Sequence, residues 1–141
     1  MNFQITDCVA DDVNFILHKL MEYNFQQVPK TQEADFIDIS RKIINENGQI
    51  IAGCVARMYC WKIVYLDILW VDGSCRQLGM GTQLLKEIEA ISIKEGCSLI
   101  HLDTFDFQAK DFYLRQGYEI FGMLEDCPPG HTRYYLKKKL V

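Results

Sequence analysis

Val64-Tyr65-Leu66-Asp67-Ile68-Leu69-Trp70-Val71 runs directly into Asp72-Gly73-Ser74-Cys75-Arg76-Gln77-Leu78-Gly79-Met80-Gly81-Thr82. Apart from Asp67 the first eight residues are apolar and β-rich and predict a strand, and the next four break it. Beyond the loop, Leu84, Leu85, Ile88 and Ile91 recur at helical spacing, which predicts a helix over 83–94. A glycine-containing loop joining a strand to a helix start suits a phosphate, because the N–H groups of a first helical turn lack internal acceptors. Gly79 and Gly81 have no Cβ and let a ligand close to the backbone. Alone, the loop reads equally as an ordinary strand–helix turn. It departs from the dinucleotide fingerprint, since Leu84 and Leu85 stand where a third glycine is needed. It departs from the P-loop as well, since no Gly-Lys-Ser/Thr follows.

Working outward, residues 3–6 read as a short strand. Val13, Ile16, Leu17, Leu20 and Met21 predict an amphipathic helix over 10–23, and Pro29 marks 24–30 as a loop. Phe36-Ile37-Asp38-Ile39 predicts a strand within 35–45. Asn45-Glu46-Asn47-Gly48 is a hairpin signal, with 49–59 the returning strand. Cys60-Trp61-Lys62 then turns the chain into the strand over 63–71. Glu95-Gly96 ends the helix after the glycine loop. A strand over 98–105, a short helix over 108–115 and final strands over 118–124 and 132–140 complete the order. The pattern is a mixed sheet with helices packed on it, of the α/β or α+β class, forming a single domain over 1–141.

Bulk properties narrow the function. With 141 residues the chain suits one domain large enough to bury a core. A net charge of −4 argues against nucleic acid as the main partner, and no apolar run is long enough for a membrane span. Met1-Asn2-Phe3-Gln4 lacks the basic and apolar regions of a signal peptide, so a cytosolic setting is expected. Cys8, Cys54, Cys60, Cys75, Cys97 and Cys127 form no C-x-x-C pair, and no histidine lies at zinc-ligand spacing. They read as reduced thiols, with no metal site implied.

A second motif changes the reading of the loop. Ala109-Lys110-Asp111-Phe112-Tyr113-Leu114-Arg115-Gln116-Gly117-Tyr118 follows roughly thirty residues later. Arg76-x-x-Gly79-x-Gly81 and this stretch together resemble the GNAT superfamily of acyl-CoA-dependent N-acetyltransferases. The likeness covers most of the chain from about Ile50 onward, and the tail from Phe121 resembles a small bacterial branch with undefined acceptors.

The resemblance implies a mostly antiparallel central sheet with helices on both faces and splayed strands that bind acetyl-CoA. Arg76 would open the pyrophosphate loop, and Gln77, Leu78, Gly79, Met80, Gly81 and Thr82 would form it, Thr82 with a hydroxyl to add. Leu69, Trp70 and Val71 would flank the pantetheine arm, with backbone N–H groups here available to an oxyanion. Tyr113 would hold the CoA sulfur and protonate the leaving thiolate; read without the family, it is a core aromatic beside Phe112.

Asp67 is the best placed carboxylate, because strand alternation puts it on the face of Leu69 and Val71. It reads as a base for the amine, directly or through water, as an anchor for the substrate ammonium, or as an ion pair or cap to a nearby loop. The family often has Glu near this position. Asp106, where the family often has Asn, and His131, after a rigid turn, are candidates for the acceptor side; a loop-fixing hydrogen bond is the other reading of His131. His101 shares a face with Asp103 and reads as a packed or surface residue.

The leading expectation is acetyl transfer from acetyl-CoA to a primary amine, small molecule or peptide, by direct attack in a ternary complex. No plausible cysteine acyl carrier lies at the motif. The alternatives are a module that senses acyl-CoA without turnover and a nucleotide-binding regulatory domain. Pairing into a homodimer is compatible with the resemblance.

Overall fold

A computed structural model describes residues 1–141 of the chain. Two compact units are present, Met1–Thr31 and Gln32–Val141. In the first, helix α1 spans Ala10–Gln27. Its start is favoured by Asp11 and Asp12 at the positive end of the helix dipole, and the Asp12 carboxylate accepts the Val9 N–H at 2.9 Å. The helix runs four residues beyond the expected end, because nothing in Asn24-Phe25-Gln26-Gln27 breaks it. Val28 stops it, since the residue before a proline is pushed to extended geometry, here φ −135° and ψ 103°. The strand expected over 3–6 is absent: these residues join no ladder, and Phe3 and Ile5 are exposed.

The second unit holds a seven-stranded mixed sheet in the order β1-β3-β4-β5-β7-β6, with β2 pairing β3. The strands are β1 Phe36–Asp38, β2 Arg41–Ile44, β3 Ile50–Tyr59, β4 Ile63–Val71, β5 Leu99–Phe105, β6 Glu119–Glu125 and β7 Thr132–Lys139. Only β4 and β5 pair in parallel; all other pairings are antiparallel. The single strand expected within 35–45 is two strands. Asp38 Oδ1 accepts the Ser40 N–H at 2.8 Å, and the Ser40 hydroxyl takes the Ala56 N–H at 3.1 Å, so side-chain bonds replace ladder bonds at the break. The Asn45 hairpin forms as expected, with Gly48 at φ +78° and Asn45 Oδ1 accepting the N–H groups of Asn47 and Gln49.

Helix α2 spans Met80–Lys94 and α3 spans Lys110–Arg115. Leu84, Leu85 and Ile88 of α2 and Tyr113 of α3 pack with Ala52, Cys54, Val64, Leu66, Ile100, Leu102 and Leu136 of the sheet into one buried cluster. That core fixes α2 and α3 against the strands and so positions their ends. No helix is long and apolar enough to cross a membrane.

Candidate active site

The site begins where two parallel strands part. β4 and β5 pair from Ile63↔Leu99 to Leu66↔Leu102 and no further, although β4 continues to Val71 and β5 to Phe105. Residues 67–71 therefore have no ladder partner on the β5 side, which leaves backbone groups free for an extended ligand.

A β-bulge lies at the same point. Val55 pairs Ile68 while Ala56 pairs Leu66, so Asp67 is the extra residue on β4. Strict alternation is interrupted there. The inward positions are Val64 and Leu66 before the bulge, and Leu69 and Val71 after it. Asp67 still reaches the cavity that Leu69 and Val71 line, but through the bulge rather than through regular alternation.

That cavity has a volume of about 510 Å³. Asp67, Leu69, Trp70 and Val71 of β4, Arg76 and Gly81 of the loop and Tyr113 of α3 all line it, together with Asp103, Phe107 and Phe112. Two of these groups have no protein partner. The Asp67 carboxylate and the Tyr113 hydroxyl make no hydrogen bond or ion pair within the chain, although Tyr113 is only 4 % exposed. Burial pushes the Tyr113 phenol far above its usual range, with nearby Cys54 and Asp103 adding to the effect, so it stays neutral and able to donate. The Cys54 thiol is itself pushed up to about 11 by burial and is not a nucleophile at neutral pH.

The loop forms the second wall. Gly79 is the N-cap of α2 at φ +77°, a left-handed geometry that other residues adopt only with strain. Its carbonyl accepts the first helical bond, from Gln83 N–H at 3.0 Å. The N–H groups of Met80, Gly81 and Thr82 consequently have no helical acceptor. Gly81 has ordinary helical geometry, and a Cβ there would lie 3.5 Å from the Phe112 ring and 3.9 Å from Val71. The Thr82 hydroxyl accepts from Gln116 Nε2 at 3.3 Å and keeps its proton to donate. Gln77 also has positive φ, +67°. Gln77, Leu78, Gly79, Met80 and Thr82 do not line the cavity, while Arg76 and Gly81 do.

Asp106 and His131 come together, but outside the cavity lining. His131 Nδ1 lies 2.9 Å from Asp106 Oδ1, and Asp106 Oδ2 accepts the Thr132 N–H at 2.9 Å. The Thr132 bond, aided by His131, holds the Asp106 carboxyl below its ordinary range. The sequence places Asp103 on a strand face with His101 and, with Asp106, at the strand end. The Asp103 carboxylate is clamped by the Tyr65 hydroxyl at 2.7 Å and Arg133 Nε at 3.0 Å. Burial and the Asp103 bond push the Tyr65 phenol up to about 12. Phe107 and Arg133 escaped the sequence reading, because neither belongs to a motif and only the fold brings them to the site.

The arrangement fits acetyl-CoA. Splayed strands, free first-turn amides and the Arg76 guanidinium surround a cavity that holds an unpaired carboxylate and a neutral phenol. No cluster of three or more His, Cys, Asp or Glu stands ready for a metal ion.

Comparison with known proteins agrees with this geometry. Residues 13–118 match the model of the acetyltransferase (GNAT) family. Blasticidin-S acetyltransferase of Streptomyces morookaense is 38% identical over 96 residues, covering 67% of this chain and 70% of the relative. The crystal structure of an acetyltransferase from Bacillus cereus is 36% identical, with a TM-score of 0.89 and 97% of each chain covered. A Bacillus anthracis protein solved with acetyl coenzyme A shares the fold, with a TM-score of 0.64 at 20% identity over 77% of this chain and 64% of its own. The chain belongs to the acetyltransferase (GNAT) family. It is an N-acetyltransferase, and as a member of this family it takes acetyl-CoA as its acetyl donor.

Proposed function

We propose that residues 1–141 act as one domain that acetylates a primary amine by direct attack in a ternary complex. The observation that carries this reading is the pairing of an unpartnered Asp67 and an unpartnered, neutral Tyr113 in one cavity at the strand splay. Acetyl-CoA supplies the thioester carbonyl and a thiolate leaving group. Asp67 takes a proton from the incoming ammonium, directly or through water, and holds the amine. Tyr113 donates its proton to the departing sulfur as the N–C bond forms and the C–S bond breaks, and the second proton lost by the acylated nitrogen restores the phenol. A backbone N–H of the Leu69–Val71 stretch that faces away from β3 stabilises the carbonyl oxygen as it gains charge, and the loop from Arg76 to Thr82 binds the pyrophosphate.

Asp106 and His131 act from behind the acceptor side by fixing the loop that borders it. The relative named for blasticidin-S supports a small-molecule amine as the acceptor. Six free thiols support a cytosolic setting. Apolar side chains exposed along β6, among them Phe121 and Met123, support pairing with a second copy.

Thiol release from acetyl-CoA across a panel of chemically diverse amines tests the reading. Amine-dependent release is expected, and Asp67→Asn should lower kcat/KM for the amine by roughly 10²-fold. Tight acetyl-CoA binding with no release for any amine would favour the sensing module instead.

A further inference from the structure

Phe107 sits in the turn between β5 and α3, is 59 % exposed and lines the same cavity as Asp67. A single exposed phenylalanine is ordinary on a protein surface. This one is set apart by how firmly it is held. Its ring stacks on Phe105 with centroids 5.2 Å apart and planes within 6° of parallel. The His131 ring meets it edge to face, also at 5.2 Å. The Arg133 guanidinium lies over the Phe105 ring, 5.4 Å from its centroid.

The backbone on either side is equally constrained. Asp106 N–H donates to the Thr132 carbonyl at 2.9 Å, and the Asp106 carboxylate is bound by His131 and by Thr132 N–H. On the far side, Gln108 Oε1 accepts from Phe105 N–H at 2.8 Å and from the Thr104 hydroxyl at 3.2 Å. Two side chains next to Phe107 in sequence thus lock the turn to β7 and to β5. An apolar ring displayed to water on a turn this rigid is preorganised for a ligand rather than left to find a packing partner.

We propose that Phe107 is a specificity-determining residue of the acceptor site, and that the acceptor is a cationic amine carrying a flat π system. The ring of the acceptor stacks on the Phe105–Phe107 pair while its ammonium faces Asp67. A flat ring matches the parallel stack in shape and in quadrupole, whereas a saturated ring of the same size matches neither. Trp70 is half exposed on the same cavity and adds a second aromatic surface there. The Asp106–His131 pair acquires a task as well: it sets the angle of the platform without touching the acceptor. This inference rests on the amine acetyltransferase reading given above.

The test compares 2-phenylethylamine with 2-cyclohexylethylamine, which share charge and reach. The saturated ring buries at least as much apolar surface, so burial alone predicts no preference for the aromatic amine. With saturating acetyl-CoA, the KM for 2-phenylethylamine should be lower by about tenfold. Phe107→Leu should bring the two KM values together and leave the KM for acetyl-CoA unchanged, and Phe107→Tyr should restore the preference. Equal KM values in the wild type, or a preference that survives Phe107→Leu, would overturn the platform while leaving amine acetylation standing. Absence of thiol release with these and all other amines, with acetyl-CoA still bound, would overturn the underlying reading and the platform with it.

Discussion

Leu66 and Leu102 are the last paired residues of the two parallel strands β4 and β5. Beyond them the strands run on to Val71 and Phe105 without a rung between them. The bulge at Asp67 falls one residue past this divergence, so strand separation and the entry of a carboxylate into the cavity share one origin. A bulge bends and twists its strand, and β4 turns from its parallel neighbour where it bulges.

Hydrogen exchange should report the splay. Amides in 67–71 that face away from β3 have no ladder acceptor and should exchange quickly in the free protein. Addition of CoA should slow them, as the pantetheine arm takes the place of a strand. Unchanged exchange in 67–71 at saturating CoA would exclude strand-like binding there.

Gly81→Asp should separate cofactor binding from folding. Gly81 has ordinary φ, and an acid in the first turn of α2 is favourable to the helix dipole. The same carboxylate would stand against a pyrophosphate, and like charges in contact are costly. Acetyl-CoA affinity is expected to fall about tenfold or more with the melting temperature maintained. Calorimetric titration measures the first and thermal unfolding the second.

Tyr113→Phe should lower kcat by roughly 10²-fold with little change in the KM for acetyl-CoA. Burial holds the Tyr113 phenol neutral beyond the normal tyrosine range. The rate of the wild type should therefore show no loss near pH 10 that Tyr113→Phe abolishes. A descending limb there that vanishes in the variant would mean that Tyr113 ionises as an ordinary surface phenol.

His101 supplies a pH dependence of stability. Its Nε2 lies 2.7 Å from the Tyr59 hydroxyl, and its ring packs on Tyr65. Burial lowers its pKa below 6.5, with Asp103 opposing. The unfolded chain then binds more protons than the folded one as pH falls below about 6.5, so folding is favoured above that value and weakened on descending through the folded pKa. Unfolding followed between pH 7 and 5 should show this loss, and His101→Gln should flatten it. Carboxylates with lowered values, such as Asp38 and Asp106, act only below about 4 and leave this window clear.

Much of this architecture was legible in the chain, for reasons that differ by element. β4 is legible over 63–71, because a run that is apolar apart from Asp67 and bounded by turn residues has few other readings. The stripe Leu84, Leu85, Ile88 gave α2, although the helix starts three residues earlier, since Gly79 caps it with backbone geometry that leaves no side-chain signature. The strand expected at 3–6 failed because a β-rich segment needs a partner edge, and sequence shows composition, not partners. Arg76, Gly81, Tyr113 and Asp67 were found through local motifs and strand position, and the structure brings them to one cavity. Phe107 and Arg133 were not, because their relation to the site arises only when β5 and β7 pair. The bulge at Asp67 was equally invisible, since it is set by the register with β3.

The most direct test mixes concentrated enzyme with acetyl-CoA in a rapid-quench instrument, first alone and then with an accepted amine, and follows free thiol. Direct attack in a cavity lined by no cysteine predicts no thiol without amine. With amine present, thiol should form in step with acetylated product. A stoichiometric burst of thiol in the absence of amine would instead reveal an acetyl-enzyme and contradict transfer in a ternary complex.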